Sequence, residues 1–423
     1  MSEIAASMVS SEQSQIVLGE APLPVVRIPM LDRERQLVAY ELIFNHDVDD
    51  EATLMQRVLA TIADGAITRM VRDNYAFLRF SRELLLKRAD VLQHHRRLGV
   101  IVELSAALDP PLMESLQQVA QRGGSLLLDL GDMDIDAGES RVALSALLTL
   151  VRFVRIDASK LAPDALRERC EMLHARGLQV IAGNVEDHDT WHRCQALPFH
   201  AIQGRYLLRP EKVDVAVLSA NRLSVLRLLR ALEEEATGPV ELGQVIRNDV
   251  ILSYKLLSCV NSAYFALPRQ LKSVEQAAIF FGLTRMRNWI STMTLTGMDD
   301  RPPELLRAAL IRAHMCEQLA QSMPREQREM AFTTGLFSLL ESLMCAPMAL
   351  LLQHLPLAPD IRSALLEQQG PFAPLLEQVQ QWEAGELRSG DIQPQQIRRM
   401  ATAYLEALRW ADHVYSFAEQ RPN

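Results

Sequence analysis

The sequence has few features of nucleic-acid-binding or zinc-binding proteins. Its 423 residues carry a formal charge of −9, whereas a surface that binds nucleic acid concentrates basic residues. The five cysteines lie far apart, without CxxC pairs or the Cys/His spacing of a zinc site. These absences argue against nucleic acid as a partner and predict reduced thiols, most of them in the core.

Targeting and membrane signals are also missing. The N-terminal segment MSEIAASMVSSEQSQ has neither the basic region nor the continuous apolar region of a secretory signal. The longest apolar run, LMCAPMALLL, is interrupted by Pro347 and is shorter than the roughly 18–20 residues that span a bilayer. We therefore expect a cytoplasmic protein without a membrane partner, with a flexible segment at residues 1–20.

The first half of the chain alternates between strand and helix patterns. Helical segments separate the short apolar runs VVRIPML, VAYELIF, YAFLRF, VIVEL, SLLLDL, VRFVRID, LQVIAG and AIQGRYL. Such alternation indicates βα units and a largely parallel sheet. Seven or eight units in this length, with no GxGxxG after the first strand, predict a shortened TIM-like (β/α) barrel.

After Pro210 the strand pattern ends and a 3.6-residue apolar period continues to the C-terminus, which predicts an all-helical domain. Proline and charge in RPEKVD place the boundary near residues 208–215. The predicted organisation is a flexible N-terminus (1–20), an α/β barrel (21–210) and an all-α domain (211–423).

Acidic residues close many of the apolar runs of the barrel. In such a barrel the chemistry lies at the carboxyl ends of the strands. Carboxylates that converge there repel one another unless a cation such as magnesium, manganese or calcium lies among them. The alternative for each is a role in capping the next helix. These residues are Glu41, Glu103, Asp129, Asp157 and Glu186.

The order of these runs resembles the EAL domains, which bind and hydrolyse the bacterial second messenger cyclic di-GMP. The resemblance extends from about Ile28 to Pro210 and rests on YELIF, FLRFSREL, VIVELS, LLLDLGD, VRID, VIAGNVE and IQGRYLLRP. It implies that the family's positions are retained at Glu41, Glu103, Asp129, Asp157, Glu186, Gln203 and Gly204.

The same resemblance implies that four active-site positions are substituted. Arg79 stands in place of a metal-binding asparagine, Leu130 in place of the second aspartate of a pair, Arg155 in place of the catalytic lysine, and Gly183 in place of a glutamate. Too few oxygen ligands remain for a two-metal site. We hypothesise that Arg79 and Arg155 replace the ions electrostatically, paired with the remaining carboxylates.

These substitutions predict a non-catalytic barrel without a metal cofactor, because arginine does not act as a base at neutral pH. One alternative is a weak phosphodiesterase that uses Mg or Mn at Glu41, Glu103, Asp129 and Asp157. The other is a metal-independent cyclic di-GMP sensor in which Gln203, Arg79 and Arg155 contact the phosphates.

The loop DMDIDAGE suggests an EF-hand, but Ala137 and Ala143 stand where that loop needs glycine and glutamate. We expect Asp132, Asp134 and Asp136 to be solvated loop acids.

Residues 223–290 resemble the HDOD domain, a helical relative of the HD phosphohydrolases that lacks their metal site. The resemblance rests on LSVLRLLRALEE, the NSA trio and the Gly282–Leu283 pair, and Ser273 with Gln276 forms a capping box. Ser338 and Leu339 stand where the HD doublet belongs.

Other features of this half have structural interpretations. We expect His314 to be a core histidine, and Arg285, Arg287 and Arg307 to form a small basic face. A run of apolar side chains is assigned to the core, with a partner-helix groove as the alternative. This run comprises Met330, Leu336, Leu339, Leu340, Leu343 and Met344.

Together the two resemblances predict a non-catalytic signalling protein that binds other signalling proteins through its helical domain. A homo-oligomer is compatible with the sequence.

Overall fold

We describe the fold from a computed structural model. It covers residues 24–44, 58, 66–71, 74–88, 97–131, 138–211, 220–234, 238–247, 250–265, 267–268, 270–298, 301–385 and 393–419. The predicted flexible start and the DMDID part of the suggested EF-hand loop lie outside these residues. So does half of the predicted domain boundary (residues 212–215), which stays a prediction.

Eight strands close into a barrel in chain order, which confirms the predicted architecture. They are β1 (Val25–Leu31), β2 (Leu37–Phe44), β3 (Tyr75–Arg79), β4 (Leu98–Glu103), β5 (Ser125–Gly131), β6 (Phe153–Asp157), β7 (Gln179–Gly183) and β8 (Ala201–Gln203).

The first strand departs from the βα pattern. Strands β2 to β8 are parallel neighbours, but β1 pairs antiparallel with both β2 and β8. A tight turn joins β1 to β2, with Arg35 in the left-handed region (φ 61°) and the Asp32 carboxylate accepting a hydrogen bond from the Gln36 amide. The first unit is therefore a β-hairpin, and no helix follows β1 to cover it.

Apolar side chains fill the lower interior of the barrel. Phe77 and Phe153 meet edge to face with ring centroids 5.2 Å apart. A Cβ at Gly99 would lie 2.4 Å from the Phe77 ring, so glycine is needed there for the ring to fit. The interior is thus closed below and open at the carboxyl ends of the parallel strands. This interior cluster consists of Met30, Ala39, Phe77, Ile101, Leu127, Phe153, Ile181 and Ala201.

Helices of the barrel half lie between the strands. They are α1 (Ala66–Val71), α2 (Arg82–Arg88), α3 (Pro110–Gln121), α4 (Gly138–Leu148), α5 (Pro163–Ala175) and α6 (His188–Gln195). Two of these helices, α3 and α6, begin after an aspartate that caps the N-terminus. The Asp109 carboxylate accepts a hydrogen bond from the Leu112 amide, and the Asp187 carboxylate accepts one from the Thr190 amide.

All regular structure described after residue 211 is helical, as predicted. The helices are α7 (Ala220–Glu233), α8 (Pro239–Arg247), α9 (Val250–Val260), α10 (Val274–Phe281), α11 (Leu283–Thr296), α12 (Pro303–Leu319), α13 (Arg325–Phe337), α14 (Leu340–Met344), α15 (Met348–Gln353), α16 (Pro359–Leu366), α17 (Ala373–Ala384) and α18 (Pro394–Glu419). Across the described ranges, none of them combines the length and apolar character needed to cross a bilayer.

The apolar run assigned to the core is buried, apart from the half-buried Met330. The predicted capping box forms with one difference. Ser273 Oγ accepts from the Gln276 amide at 3.3 Å, but Gln276 Oε1 accepts from the Lys272 amide at 2.9 Å rather than from the cap residue.

The helical domain covers the hairpin that lacks its own helix. The Tyr40 hydroxyl of β2 donates to Glu304 Oε2 of α12 at 2.9 Å, and the Arg27 amide of β1 donates to the Tyr404 hydroxyl of α18 at 3.2 Å. All of these side chains are buried. The two halves therefore share a core on the outer face of β1 and β2.

Candidate functional site

The mouth of the barrel forms a cavity of about 550 Å³. Its position follows from strand geometry, since side chains two residues apart lie on the same face of a strand. Each mouth residue stands two positions after a member of the interior cluster. By this rule the strands bring Glu41, Arg79, Glu103, Asp129, Arg155, Gly183 and Gln203 to the mouth.

Arg155 of β6 lies at the centre of this site and is only 8% exposed. Its Nη1 donates to Glu41 Oε2 at 2.5 Å and to Gln203 Oε1 at 2.8 Å. On the other side, Arg155 forms a bidentate ion pair with Asp129: Nε donates to Oδ1 at 3.2 Å and Nη2 donates to Oδ2 at 2.5 Å. One guanidinium therefore bridges carboxylates from strands β2 and β5.

Glu41 is deeply enclosed at the mouth, with 5% exposure. Its Oε2 also accepts from Gln203 Nε2 at 2.5 Å, so the arginine and the amide converge on one oxygen. A buried charge is tolerated only when it is paired and hydrogen-bonded, and both conditions are met here.

Arg79 forms the outer layer of the cluster. It donates to Asp129 and, at 3.1 Å, to Glu103 Oε1. The side chains of Arg79 and Glu103 are 46% and 68% exposed, so this pair lies at the rim. Asp129 is thus held by two guanidinium groups, one buried and one at the surface.

The charges of the cluster are fixed by these contacts. Burial opposes ionisation of Asp129, but the hydrogen bonds and positive charges of Arg155 and Arg79 outweigh it and lower its pKa. Burial likewise acts against the charged form of Arg155, yet Glu41 and Asp129 raise its pKa above the ordinary arginine value. Asp129 is an anion and Arg155 a cation at neutral pH.

Two of the acidic residues predicted at the mouth lie outside this cluster. Asp157 Oδ1 accepts from the Ser159 amide and hydroxyl, and its Oδ2 accepts from Asn184 Nδ2 at 2.7 Å. Glu186 accepts from Arg205 Nε at 2.9 Å. Asn184 was not anticipated, and its signal is conformational, since it occupies the left-handed region (φ 55°) that favours asparagine and glycine.

Leu130 and Gly183 have different roles. Leu130 is next to Asp129 and points to the opposite face of β5, where it is buried in the outer core. Gly183 lies under Arg155, because a Cβ at position 183 would be 2.9 Å from Arg155 Cδ. Arg155 therefore occupies the space that a side chain at 183 would need.

We expect Gly183→Ala to lower the free energy of unfolding by about 1–3 kcal/mol, because the added methyl group displaces the packed Arg155 side chain. Urea unfolding measures the change. Gly297→Ala is the control, since its Cβ would meet nothing closer than 3.4 Å. Equal stability of the two variants would contradict the packing argument.

The described residues do not fit a magnesium or manganese site at the mouth. Glu41 and Asp129 both face the Arg155 guanidinium, and Glu103 binds Arg79. Within the described ranges, no group of three or more histidine, cysteine, aspartate or glutamate side chains is arranged to hold a metal ion.

In the helical domain, His314 of α12 is buried and stacks on Trp410 with ring centroids 4.9 Å apart. Ser338 accepts from Arg312 Nη1 at 2.9 Å.

The predicted basic face is wrong for Arg307. Its side chain is only 12% exposed at the domain interface, where Nη1 donates to Glu304 at 2.7 Å. Arg285 is bound by Glu317, and Arg287 donates to the Glu234 carbonyl oxygen. The three guanidinium groups serve separate acceptors.

Comparison with known proteins gives a match for the helical half. Residues 222–350 match the sequence model of the HDOD domain, which confirms that part of the resemblance. Uncharacterized protein YuxH of Bacillus subtilis is 24% identical, over 92% of this chain and 98% of its own length. Cyclic di-GMP phosphodiesterase CdgJ of Vibrio cholerae is 28% identical, over 84% of this chain and 83% of its own length.

The solved structures found for the barrel half include EAL domains. The FimX EAL domain from Pseudomonas aeruginosa bound to c-di-GMP is 17% identical, with a TM-score of 0.34 over 45% of this chain and 92% of its own. The EAL domain of Mycobacterium smegmatis DcpA is 17% identical, with a TM-score of 0.34 over 45% of this chain and 90% of its own.

Proposed function

We propose that this chain, an EAL-like barrel joined to an HDOD domain, is a non-catalytic signal-transduction protein that regulates partner proteins. The observation that carries the proposal is the Arg155 guanidinium, which bridges Glu41 and Asp129 at the mouth. The relatives support a place in cyclic di-GMP signalling, since one of them is named as a phosphodiesterase of that nucleotide.

The bridge opposes catalysis in two ways. Hydrolysis of this type uses metal ions to activate water and to offset the charge of the phosphate. Here the carboxylates of Glu41 and Asp129 already bind the Arg155 guanidinium, and a metal ion would have to displace that group. Arg155 also keeps its proton, because the neighbouring carboxylates raise its pKa, so it does not serve as a general base.

Arg155 is also held in place by hydrogen bonds and by packing. Four of its hydrogen bonds are made to three different side chains, and its aliphatic stem packs over Gly183. A ligand that needed Arg155 to turn outward would have to break these bonds in a buried site, which is costly.

The surface of the helical domain favours protein partners. Several large apolar side chains are exposed there, and Ile279 of α10 reaches 75% exposure beside Phe280. Exposed apolar side chains that lie close together are typical of protein-binding surfaces. The others in this domain include Val240, Tyr254 and Tyr264.

We expect the purified protein to produce no linear dinucleotide from cyclic di-GMP with magnesium or manganese, because no described carboxylate cluster is arranged to hold the ions. Chromatography of the reaction mixture measures the product, with CdgJ as the positive control.

Metal-dependent product that Glu41→Gln abolishes would overturn the proposal in favour of a weak phosphodiesterase, the reading that the relative's name supports. Calorimetric titration in magnesium and in excess chelator tests the sensor alternative. Binding that survives chelation and is lost in Arg79→Met would support it, since Arg79 is the more exposed guanidinium of the mouth.

A further inference from the structure

A second cavity of about 730 Å³, which we call the interdomain groove, lies between the two halves of the molecule. Its walls come from α15, α16 and α17 of the helical domain and from Arg205, which follows β8 of the barrel. Arg205 and Ala384 line both this groove and the mouth of the barrel. A molecule bound in the groove therefore contacts α17, the helix that also forms part of the wall of the mouth.

The groove combines buried apolar side chains with exposed amides. Two of its lining residues, Ala364 and Leu376, are buried, whereas the lining glutamines Gln368, Gln369 and Gln380 are exposed. The side-chain amide of glutamine has an acceptor oxygen and a donor NH₂ group, as a peptide group has an acceptor and a donor. The groove thus offers apolar contacts together with hydrogen bonds of both kinds.

The turn that carries two of these glutamines has an unusual backbone conformation. Gln368 lies in the left-handed region (φ 55°), which glycine and asparagine occupy more readily than glutamine. The turn is fixed to the end of α16, because the Ser363 carbonyl oxygen accepts from the Glu367 amide at 2.9 Å and from the Gln369 amide at 3.3 Å. Strained residues of this kind cluster at binding sites.

The lining of the groove argues against a nucleotide. Its charged residues among those described are Arg205 and Glu377, whose formal charges cancel, and Arg205 already binds Glu186 at 2.9 Å. Phosphate groups are bound by basic side chains, and bases of single strands commonly stack on aromatic ones. None of the described lining residues is aromatic. The ligand that matches this lining is uncharged and has donors and acceptors along its length.

We propose that the interdomain groove binds an extended, uncharged segment of a partner protein. The peptide groups of the segment exchange hydrogen bonds with Gln368, Gln369 and Gln380. Its side chains point alternately to opposite faces, so every second one packs on Ala364 and Leu376. This inference rests on the proposed function, the regulation of partner proteins, and adds the surface and the kind of segment that is recognised.

Random peptides of about ten residues, displayed on phage and selected against the unmodified full-length protein, supply the probes. The selected peptides are synthesised with a fluorescent label, and fluorescence anisotropy gives their dissociation constants. We expect saturable binding by peptides that are poor in aspartate, glutamate, lysine and arginine, because the groove has no net charge to attract either sign.

Gln380→Ala and Gln368→Gly should each weaken peptide binding by about tenfold, because each removes hydrogen bonds to the segment. Neither change should unfold the protein. Alanine is favoured at an exposed helical position such as 380, and glycine relieves the left-handed backbone at 368. Thermal unfolding should therefore show that Gln368→Gly is at least as stable as the unmodified protein. Gln327→Ala, at an exposed glutamine of α13 outside the groove, is the control and should leave binding unchanged.

Three results would overturn the proposal: no saturable binding by any selected peptide, a predominance of acidic or basic peptides among the binders, or affinities that Gln380→Ala and Gln368→Gly leave unchanged. Binding that is lost instead in Ile279→Ser would place the partner surface on α10, so that this inference fails while the proposed function stands. The proposed function itself is contradicted by a different result, the formation of linear dinucleotide from cyclic di-GMP.

Discussion

Replacement of Arg155 by methionine is expected to lower the free energy of unfolding by about 3–5 kcal/mol. Methionine fills a similar volume but leaves the carboxylates of Glu41 and Asp129 facing each other without the cation between them. Both are largely buried, so water does not replace the lost partner. Urea unfolding, followed by circular dichroism, measures the loss.

Two variants separate this effect from a general loss of charge. Arg79→Met removes the exposed partner of the same aspartate and should cost about 1 kcal/mol or less. Glu41→Gln added to Arg155→Met removes one orphaned charge and should restore part of the stability. An Arg155→Met variant as stable as Arg79→Met would show that the buried bridge is not important for folding.

The dependence on pH gives a further check. Since the pKa of Asp129 is lowered in the folded protein, its contribution is present above the ordinary carboxyl pKa and is lost as pH falls through the folded value. Arg155→Met should reduce this acid-sensitive part of the stability.

A fragment of residues 1–210 is expected not to fold on its own. In the full chain, the helical domain covers the outer face of the β1–β2 hairpin, where Tyr40 and Leu42 are buried. Removal of that domain exposes this apolar face and also leaves the Arg27 amide without the Tyr404 hydroxyl. Size-exclusion chromatography and binding of a hydrophobic dye measure aggregation and exposed apolar surface.

Co-expression of residues 211–423 with the fragment should restore soluble, folded protein, because it supplies the missing cover in trans. A monomeric fragment that unfolds cooperatively without its partner would contradict this account of the interface.

The strands were predictable from the sequence because each apolar run is short and ends in a recognisable turn. The antiparallel β1 was not, since VVRIPML reads as a strand without indicating the direction of its neighbours. The packing of the helical domain against the β1–β2 hairpin could not be predicted from the sequence either, because Tyr40 and Glu304 are 264 positions apart and no periodicity links them.

The site was predictable in part. The substituted positions suggested that arginines would pair with the retained carboxylates, and the strand period brings Arg155 to Asp129 and Glu41. The separate environment of Asp157 depends on Asn184 and Ser159, whose roles come from loop conformation. The need for glycine at 183 arises only once the Arg155 side chain has been placed.

Strand β2 carries adjacent residues that serve both halves of the molecule. Glu41 faces the mouth and is held by Arg155, whereas Tyr40 faces outward and donates to Glu304 of α12. A ligand that moves β2 from one side must change the energy of the contact on the other, and by linkage the effect is equal in both directions. A partner bound to the helices and a molecule bound in the barrel mouth would therefore change each other's affinity, through the peptide bond that joins Tyr40 to Glu41.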